Sequence, residues 1–338
     1  MSILCFAENP GGANGIITLA LEDEAKDNIE IIAQGSAVKY FQDHGLESVP
    51  EKEFSANIKA LVVGAAHSKD SGSFKYIAKA KELNIPSFTY VDACVNVDMR
   101  FKGYSDDPLF HTPDYLFVTE EATCKAYIDI GFHPDKIFIV GNPRYDFVVK
   151  RAQLLNKKPR NKKQILFLAD PLVPRVGKGF EQSGFGAKSA DDVRSYLLLD
   201  HIIKNAGAND IIIKLHPRNS YEEFSKYKDK CTIYRGADLG IDLAFQADLV
   251  IGTTTSLLAE SALIGTPSIA ALLTPDERGW LPHILPDNLI ISKDEYDLKS
   301  SMDQMLSDGY KREEASNKDD LCRDSGKKMV EIITNHCL

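Results

Sequence analysis

Short apolar runs that end abruptly in polar residues recur along this chain, and helical periodicity fills the stretches between them. The sharpest lies at residues 210–217, where Ile211-Ile212-Ile213 gives way at once to Lys214, His216 and Pro217. Consecutive β-branched residues mark a strand buried on both faces of a parallel sheet. Leu249-Val250-Ile251 repeats the plan: Gly252 turns the chain, and Thr253-Thr254-Thr255-Ser256 open a helix through Leu257, Leu258, Glu260 and Leu263. In the first half the pattern predicts strands at 3–6, 29–33, 60–63, 86–91, 115–119 and 137–140. A glycine-rich turn at 8–15 precedes a helix from 16 to about 24, and further helices are predicted at 38–44, 74–83 and 120–130. The second half predicts strands at 165–169, 211–214, 232–234, 249–251, 268–272 and 289–291. A helix at 191–205, with Asp191 or Asp192 near its N-cap, and a charged helical tail at 311–337 complete it. Strands alternating with helices predict an α/β fold of doubly wound parallel sheets.

At 338 residues the chain exceeds one typical core. The expected division is a Rossmann-like domain at 1–155, a linker at 156–163, a second domain at 164–310 and a terminal helix at 311–338. The basic run 157–163 reads as a solvated connector. A formal net charge of -9 argues against a general binder of nucleic acid or anionic membrane. No apolar run reaches membrane-spanning length, and the opening residues read as a buried strand rather than a secretory leader. Six scattered cysteines without a C-x-x-C pair suit reduced thiols, so the expected compartment is the cytoplasm.

Ligands of open α/β sheets bind beyond the C-terminal ends of the strands. There stand Lys214, His216, Pro217 and Arg218, and a histidine flanked by cations suits a phosphate or diphosphate. Thr253, Thr254, Thr255 and Ser256 combine hydroxyls with a helix start, an anion site or simply a cap. Glu260 reads equally as a ribose acceptor and as a solvent-facing carboxylate. Arg175 and Lys178, in the loop after 165–169, are expected to reach a phosphate, with Gly184-Phe185-Gly186 in a mobile flap. Glu277 and Arg278 are candidates on the substrate side, with Trp280 lining the sugar pocket or a surface turn. In the first half, Gly11 and Gly12 either let backbone approach a ligand or only make the turn. Asp92, Asn96 and Arg100 follow a buried strand and form a candidate acceptor site. Arg100 would clamp an anionic acceptor or pair with Asp98 or Asp106. The candidates for a general base are Asp92, Glu8 and His67, in that order. No H-x-x-x-H or Asp-x-Asp pattern marks a metal site, and no cofactor is expected.

Lys-Leu-His-Pro at 214–217, the run Gly-Thr-Thr-Thr-Ser-Leu-Leu-Ala-Glu-Ser-Ala at 252–262 and Gly-Thr-Pro at 265–267 resemble the donor half of GT-B-fold glycosyltransferases. The closest echo is with bacterial sialyltransferases, capsule polysaccharide transferases and the CDP-glycerol glycerophosphotransferases of wall teichoic acid. The likeness covers residues 165–335, while the first half is similar in fold pattern only and lacks the acidic Asp/Glu-Asp/Glu-Gly loop of several sialyltransferases. It implies two Rossmann-like domains facing a central cleft, and donor binding by His216, Thr254, Thr255 and Ser256. The implied function is metal-independent transfer of a sugar or polyol phosphate, in surface polysaccharide synthesis, to a glycan or lipid-linked acceptor. The donor is CMP-, CDP- or UDP-linked, nucleic acid is not a partner, and peripheral membrane association is compatible. The rival readings are a non-hydrolysing nucleotide-sugar 2-epimerase of the same fold and a catalytically silent nucleotide-sugar-binding protein.

Overall fold

The computed structural model describes residues 2–22, 24–172, 179–236, 239–313, 315–322 and 324–337. The chain divides into two compact units, Met1–Phe147 with Asp320–Leu338, and Val148–Asp319. The first unit runs β1 (Ser2–Ala7), α1 (Pro10–Ala20), β2 (Ile29–Ala33), α2 (Ala37–Asp43), β3 (Ile58–Gly64), α3 (Ser73–Leu83) and β4 (Ser87–Val91). It continues with β5 (Tyr115–Val118), α4 (Glu121–Asp129), β6 (Ile137–Ile139) and the start of α5 (Pro143–Ala152). The second unit holds β7 (Gln164–Leu168), α6 (Arg194–Asn205), β8 (Asp210–Lys214), α7 (Tyr221–Phe224), β9 (Thr232–Ile233) and α8 (Gly240–Gln246). Then come β10 (Leu249–Gly252), α9 (Ser256–Leu263), β11 (Ser268–Ala271), β12 (Leu289–Ser292) and α10 (Glu295–Met305). The short α11 (Lys318–Leu321) leads to α12 (Ser325–Cys337), which returns to the first unit.

Each unit is built on a six-stranded parallel sheet, in the order β2-β1-β3-β4-β5-β6 for the first and β12-β11-β10-β7-β8-β9 for the second. The apolar runs become its strands because both faces are covered: Leu61, Val62 and Val63 are fully buried, as are Leu249, Val250 and Ile251. Pro86 and Pro267 stand just before β4 and β11, where a missing N–H costs no ladder bond and the carbonyl still accepts from Leu61 and Val250. Strand order reverses between β1 and β3 in one sheet and between β7 and β10 in the other. These are the topological switch points, where the loops beyond the strands diverge and leave a crevice.

The structure departs from the sequence pattern in several places: α5, α8 and α10 are additional helices, and the helix expected over 311–338 spans Ser325–Cys337 after the short α11. α1 starts at Pro10, so Gly11 and Gly12 form its first turn instead of a loop. Asn9 caps it, its Oδ1 accepting the Gly12 N–H at 2.8 Å, and proline at the first helical position needs no N–H there. α6 starts at Arg194, because the Asp192 carboxylate accepts from the N–H groups of Lys188 and Ser189 and closes a turn ahead of the helix. The 184–186 segment is no flap: Phe185 is buried in the second core and the Gly184 carbonyl accepts the Glu295 N–H at 3.2 Å. The basic run 157–163 is mostly exposed, and two of its lysines are paired, Lys157 at 2.7 Å from Asp248 and Lys163 at 2.9 Å from Asp308.

Candidate functional site

The switch point of the second sheet gathers most of the residues of interest. Thr253, just past β10, donates its hydroxyl to the Asp170 carboxylate just past β7, so a buried hydrogen bond spans the reversal. Thr253 is therefore committed to the protein. Thr254 and Thr255 are half-buried and Ser256 is exposed. Thr255 is the N-cap of α9, and its side chain makes no capping bond. An uncapped helix start leaves N–H groups without partners and concentrates positive potential there, the arrangement that receives phosphates.

His216 follows β8, the neighbour of β7, and is half-buried. The tight turn that Pro217 enforces places the Arg218 N–H 3.1 Å from His216 Nδ1, and the Asn219 carboxamide accepts the His216 N–H at 3.1 Å. A ring nitrogen that accepts a backbone N–H carries no proton, so the neutral ring holds its proton on Nε2 and keeps it as a donor. Burial lowers the His216 pKa below the usual 6.5, Arg218 and Lys214 lower it further, and Asp170 opposes them. Arg218 itself is exposed.

Lys214 ends β8 with its stem under the first residue of α8, where a Cβ on Gly240 would stand 2.9 Å from Lys214 Cε. Burial lowers its ammonium below the usual 10.5, and Glu260 opposes the shift. Glu260, in α9, is 3% exposed, so the solvent-facing reading does not describe it. The two charges thus act on each other electrostatically between the end of β8 and α9.

A second buried cluster adjoins the first. Arg194, at the start of α6, places Nη2 3.5 Å from Asp170 Oδ2 and Nε 3.0 Å from Glu277 Oε1. Glu277 also accepts the Leu273 N–H at 2.7 Å. Burial raises the Glu277 pKa, Arg194 and the N–H groups of Leu273 and Thr274 oppose this, and Asp170 adds to it. Arg278 donates to the carbonyls of Pro282 and His283, both at 3.1 Å, and so fixes its own loop. No local pattern points to Arg194 or Asp170, because their partners lie 24 to 83 positions away along the chain. Arg175 lies outside the described residues, as does Lys178.

The first sheet has its own cluster at its switch point. Glu8, beyond β1, accepts the Gly72 N–H at 2.8 Å and ties down the loop after β3. Asp92, beyond β4, accepts from Arg100 Nη1 at 2.9 Å. Its other oxygen occupies the space a Cβ on Gly11 would need. The buried Arg100 also donates to the carbonyls of Val95 at 3.2 Å and Ala93 at 3.3 Å. It thus pairs with Asp92 rather than with Asp98 or Asp106, and positions that carboxylate together with its loop. Asn96 is exposed, with a left-handed φ of 56°. His67 is exposed in the loop after β3. Glu8, Gly11, Gly12, Asp92 and Arg100 therefore meet at one sheet edge, while Asn96 and His67 stand at its rim.

Among the described residues no group of three or more His, Cys, Asp or Glu side chains is placed to hold a metal ion. Among them, too, no helix is long and apolar enough to cross a membrane.

No family model and no curated protein matches this chain. Solved structures do. The UDP-GlcNAc 2-epimerase of Methanocaldococcus jannaschii is 17% identical, with 99% of this chain and 100% of that one covered at a TM-score of 0.66. The UDP-GlcNAc 2-epimerase of Neisseria meningitidis bound to UDP-GlcNAc is 12% identical, covering 99% and 100% at 0.62. HepE of Anabaena, in complex with UDP and glucose, is 13% identical, covering 99% of each chain at 0.58. The fold is therefore GT-B-like, α/β with two six-stranded parallel sheets.

Proposed function

We propose that this chain is an enzyme acting on a UDP-linked sugar, that its second unit binds the nucleotide, and that its reaction is epimerisation at C2 of the sugar. The observation that carries nucleotide binding is the pairing of the uncapped α9 start with a His216 whose Nε2 is left to donate. Backbone N–H groups and a neutral imidazole N–H together match the oxygens of a diphosphate. Thr254, Thr255 and Ser256 hold those oxygens and Lys214 supplies charge behind them. Support for a UDP-linked substrate, and for 2-epimerisation ahead of transfer, comes from the similar folds, several of which are UDP-GlcNAc 2-epimerases. Asp92 is the proposed proton acceptor, with Arg100 as its positioning residue; Glu8 is a loop anchor in this scheme and His67 a lesser candidate. The second reading is transfer of the sugar to a glycan or lipid-linked acceptor, favoured by the Lys-Leu-His-Pro and Gly-Thr-Thr-Thr-Ser motifs.

Incubating the protein with UDP-GlcNAc in deuterated water, followed by proton NMR, separates the readings. Epimerisation through proton removal gives the C2 epimer with UDP still attached and deuterium at C2. Release of UDP only when a glycan acceptor is added selects the transferase, and binding without either product selects the silent binder. Asp92→Asn is expected to lower turnover by about 10²–10⁴-fold with little change in UDP affinity. Retained turnover in that variant removes Asp92 from the chemistry.

A further inference from the structure

We infer that Trp280 is the platform for the sugar ring of the bound nucleotide sugar; this rests on the UDP-sugar reading above and adds the contact that recognises the sugar. Trp280 is the chain's single tryptophan, and it is 59% exposed. It ends the turn Pro275–Trp280, which follows the C-terminal end of β11 in the second sheet. The turn is firmly held. Glu277 binds back to Leu273, and Arg278 closes onto Pro282 and His283. The Arg194 guanidinium lies over the indole, 5.8 Å from its centroid. One aromatic face is thus set by a buried ionic cluster while much of the ring is open to solvent.

The same cluster ties the indole to the nucleotide site, since Asp170 pairs with Arg194, binds Thr253 and acts electrostatically on His216. Its charge selects the ligand class. One guanidinium already serves two carboxylates, Asp170 and Glu277, so the cluster holds no spare cation for a further phosphate. A neutral polyhydroxylated ring suits it: C–H groups pack on the indole face, and hydroxyls both donate to carboxylates and accept from N–H groups.

Trp280 supplies all the tryptophan fluorescence of the chain, which makes the test direct. UDP and UDP-GlcNAc are titrated separately into the full chain and into Trp280→Ala and Trp280→Phe, with affinities from calorimetry. The expected results are a larger emission change for UDP-GlcNAc than for UDP, and a loss of about two- to tenfold in UDP-GlcNAc affinity in Trp280→Ala, well beyond any loss for UDP. Trp280→Phe should recover most of it. Equal losses for both ligands place the indole on the nucleotide and overturn the inference, as does no loss for either. If the unaltered protein binds UDP without distinguishing it from UDP-GlcNAc in emission or in the effect of the variants, the sugar platform falls and the nucleotide site stands. If it binds neither, both readings fall.

Discussion

His216 is controlled by two backbone N–H groups in opposite ways. Its own N–H is held by Asn219, and that of Arg218 fills Nδ1, so neither ring position nor tautomer is left to chance. In the free protein burial and the neighbouring cations keep the ring neutral, with its pKa below 6.5. A diphosphate beside Nε2 favours the charged imidazolium and raises that value, the added proton going to Nδ1 in place of the Arg218 N–H that it accepts in the free protein. Binding then takes up a proton at pH values between the free and bound pKa, and affinity rises as pH falls through that window. UDP-GlcNAc is the right probe, because its phosphates are both esterified and lack the ionisation near pH 6 of a terminal phosphate. Calorimetry in two buffers of different ionisation enthalpy should reveal the uptake in the parent and none in His216→Gln. His216→Ala should lose about 1.5–3 kcal/mol of binding, the value of a hydrogen bond to a charged group. An unchanged proton uptake in His216→Gln assigns the titration elsewhere.

At the scale of elements, strand cores were legible and contacts between elements were not. Leu249–Ile251 is buried throughout, as its composition implies, whereas in Ile211–Ile213 the outer two are buried and Ile212 only partly so; the doubly wound alternation follows from such runs. Gly11-Gly12 reads as a turn because glycine disfavours helix interiors. The competing signal, Asn9 before Pro10, is a helix start and prevails. What glycine does at Gly12 depends on a partner 52 positions away: a Cβ there would stand 2.8 Å from Gly64 Cα, backbone against backbone, so α1 sits on β3 at a distance only glycine allows. Arg194 is the same lesson in charged form, an ordinary helical residue until Asp170 and Glu277 are brought to it. Gly12→Ala must therefore push α1 off the sheet, and a destabilisation of about 1–3 kcal/mol is expected, read as a lower urea midpoint. Gly309→Ala, with nothing within 4 Å of its Cβ, is the control and should leave the midpoint in place. Equal midpoints for the parent and Gly12→Ala show that the contact relaxes freely.

On the scale of the whole molecule, two sheets each offer a switch point, and the sequence points to the second only through its motif resemblance. Local electrostatics separates them. At the first switch point the start of α1 is already filled: Pro10 has no N–H, Asn9 caps Gly12, and the Asp92 carboxylate lies against Gly11. A diphosphate there would meet a negative charge and spent donors. At the second, the start of α9 has no side-chain cap and His216 keeps a free ring donor. This difference supports the proposed placing of the nucleotide on the second sheet. Hydrogen exchange with and without UDP puts this to measurement, because a ligand bound to the folded state slows the openings that release it. With UDP at about 100 times its Kd the added protection reaches about 2.7 kcal/mol, or roughly a hundredfold in rate, for amides that exchange only when the site opens. The strongest slowing is expected at residues 216–219 and 254–260, where the amides either meet phosphate or hold the groups that do. Protection centred instead on residues 9–13 and 65–72 would put the nucleotide on the first sheet and reverse the assignment of the two units.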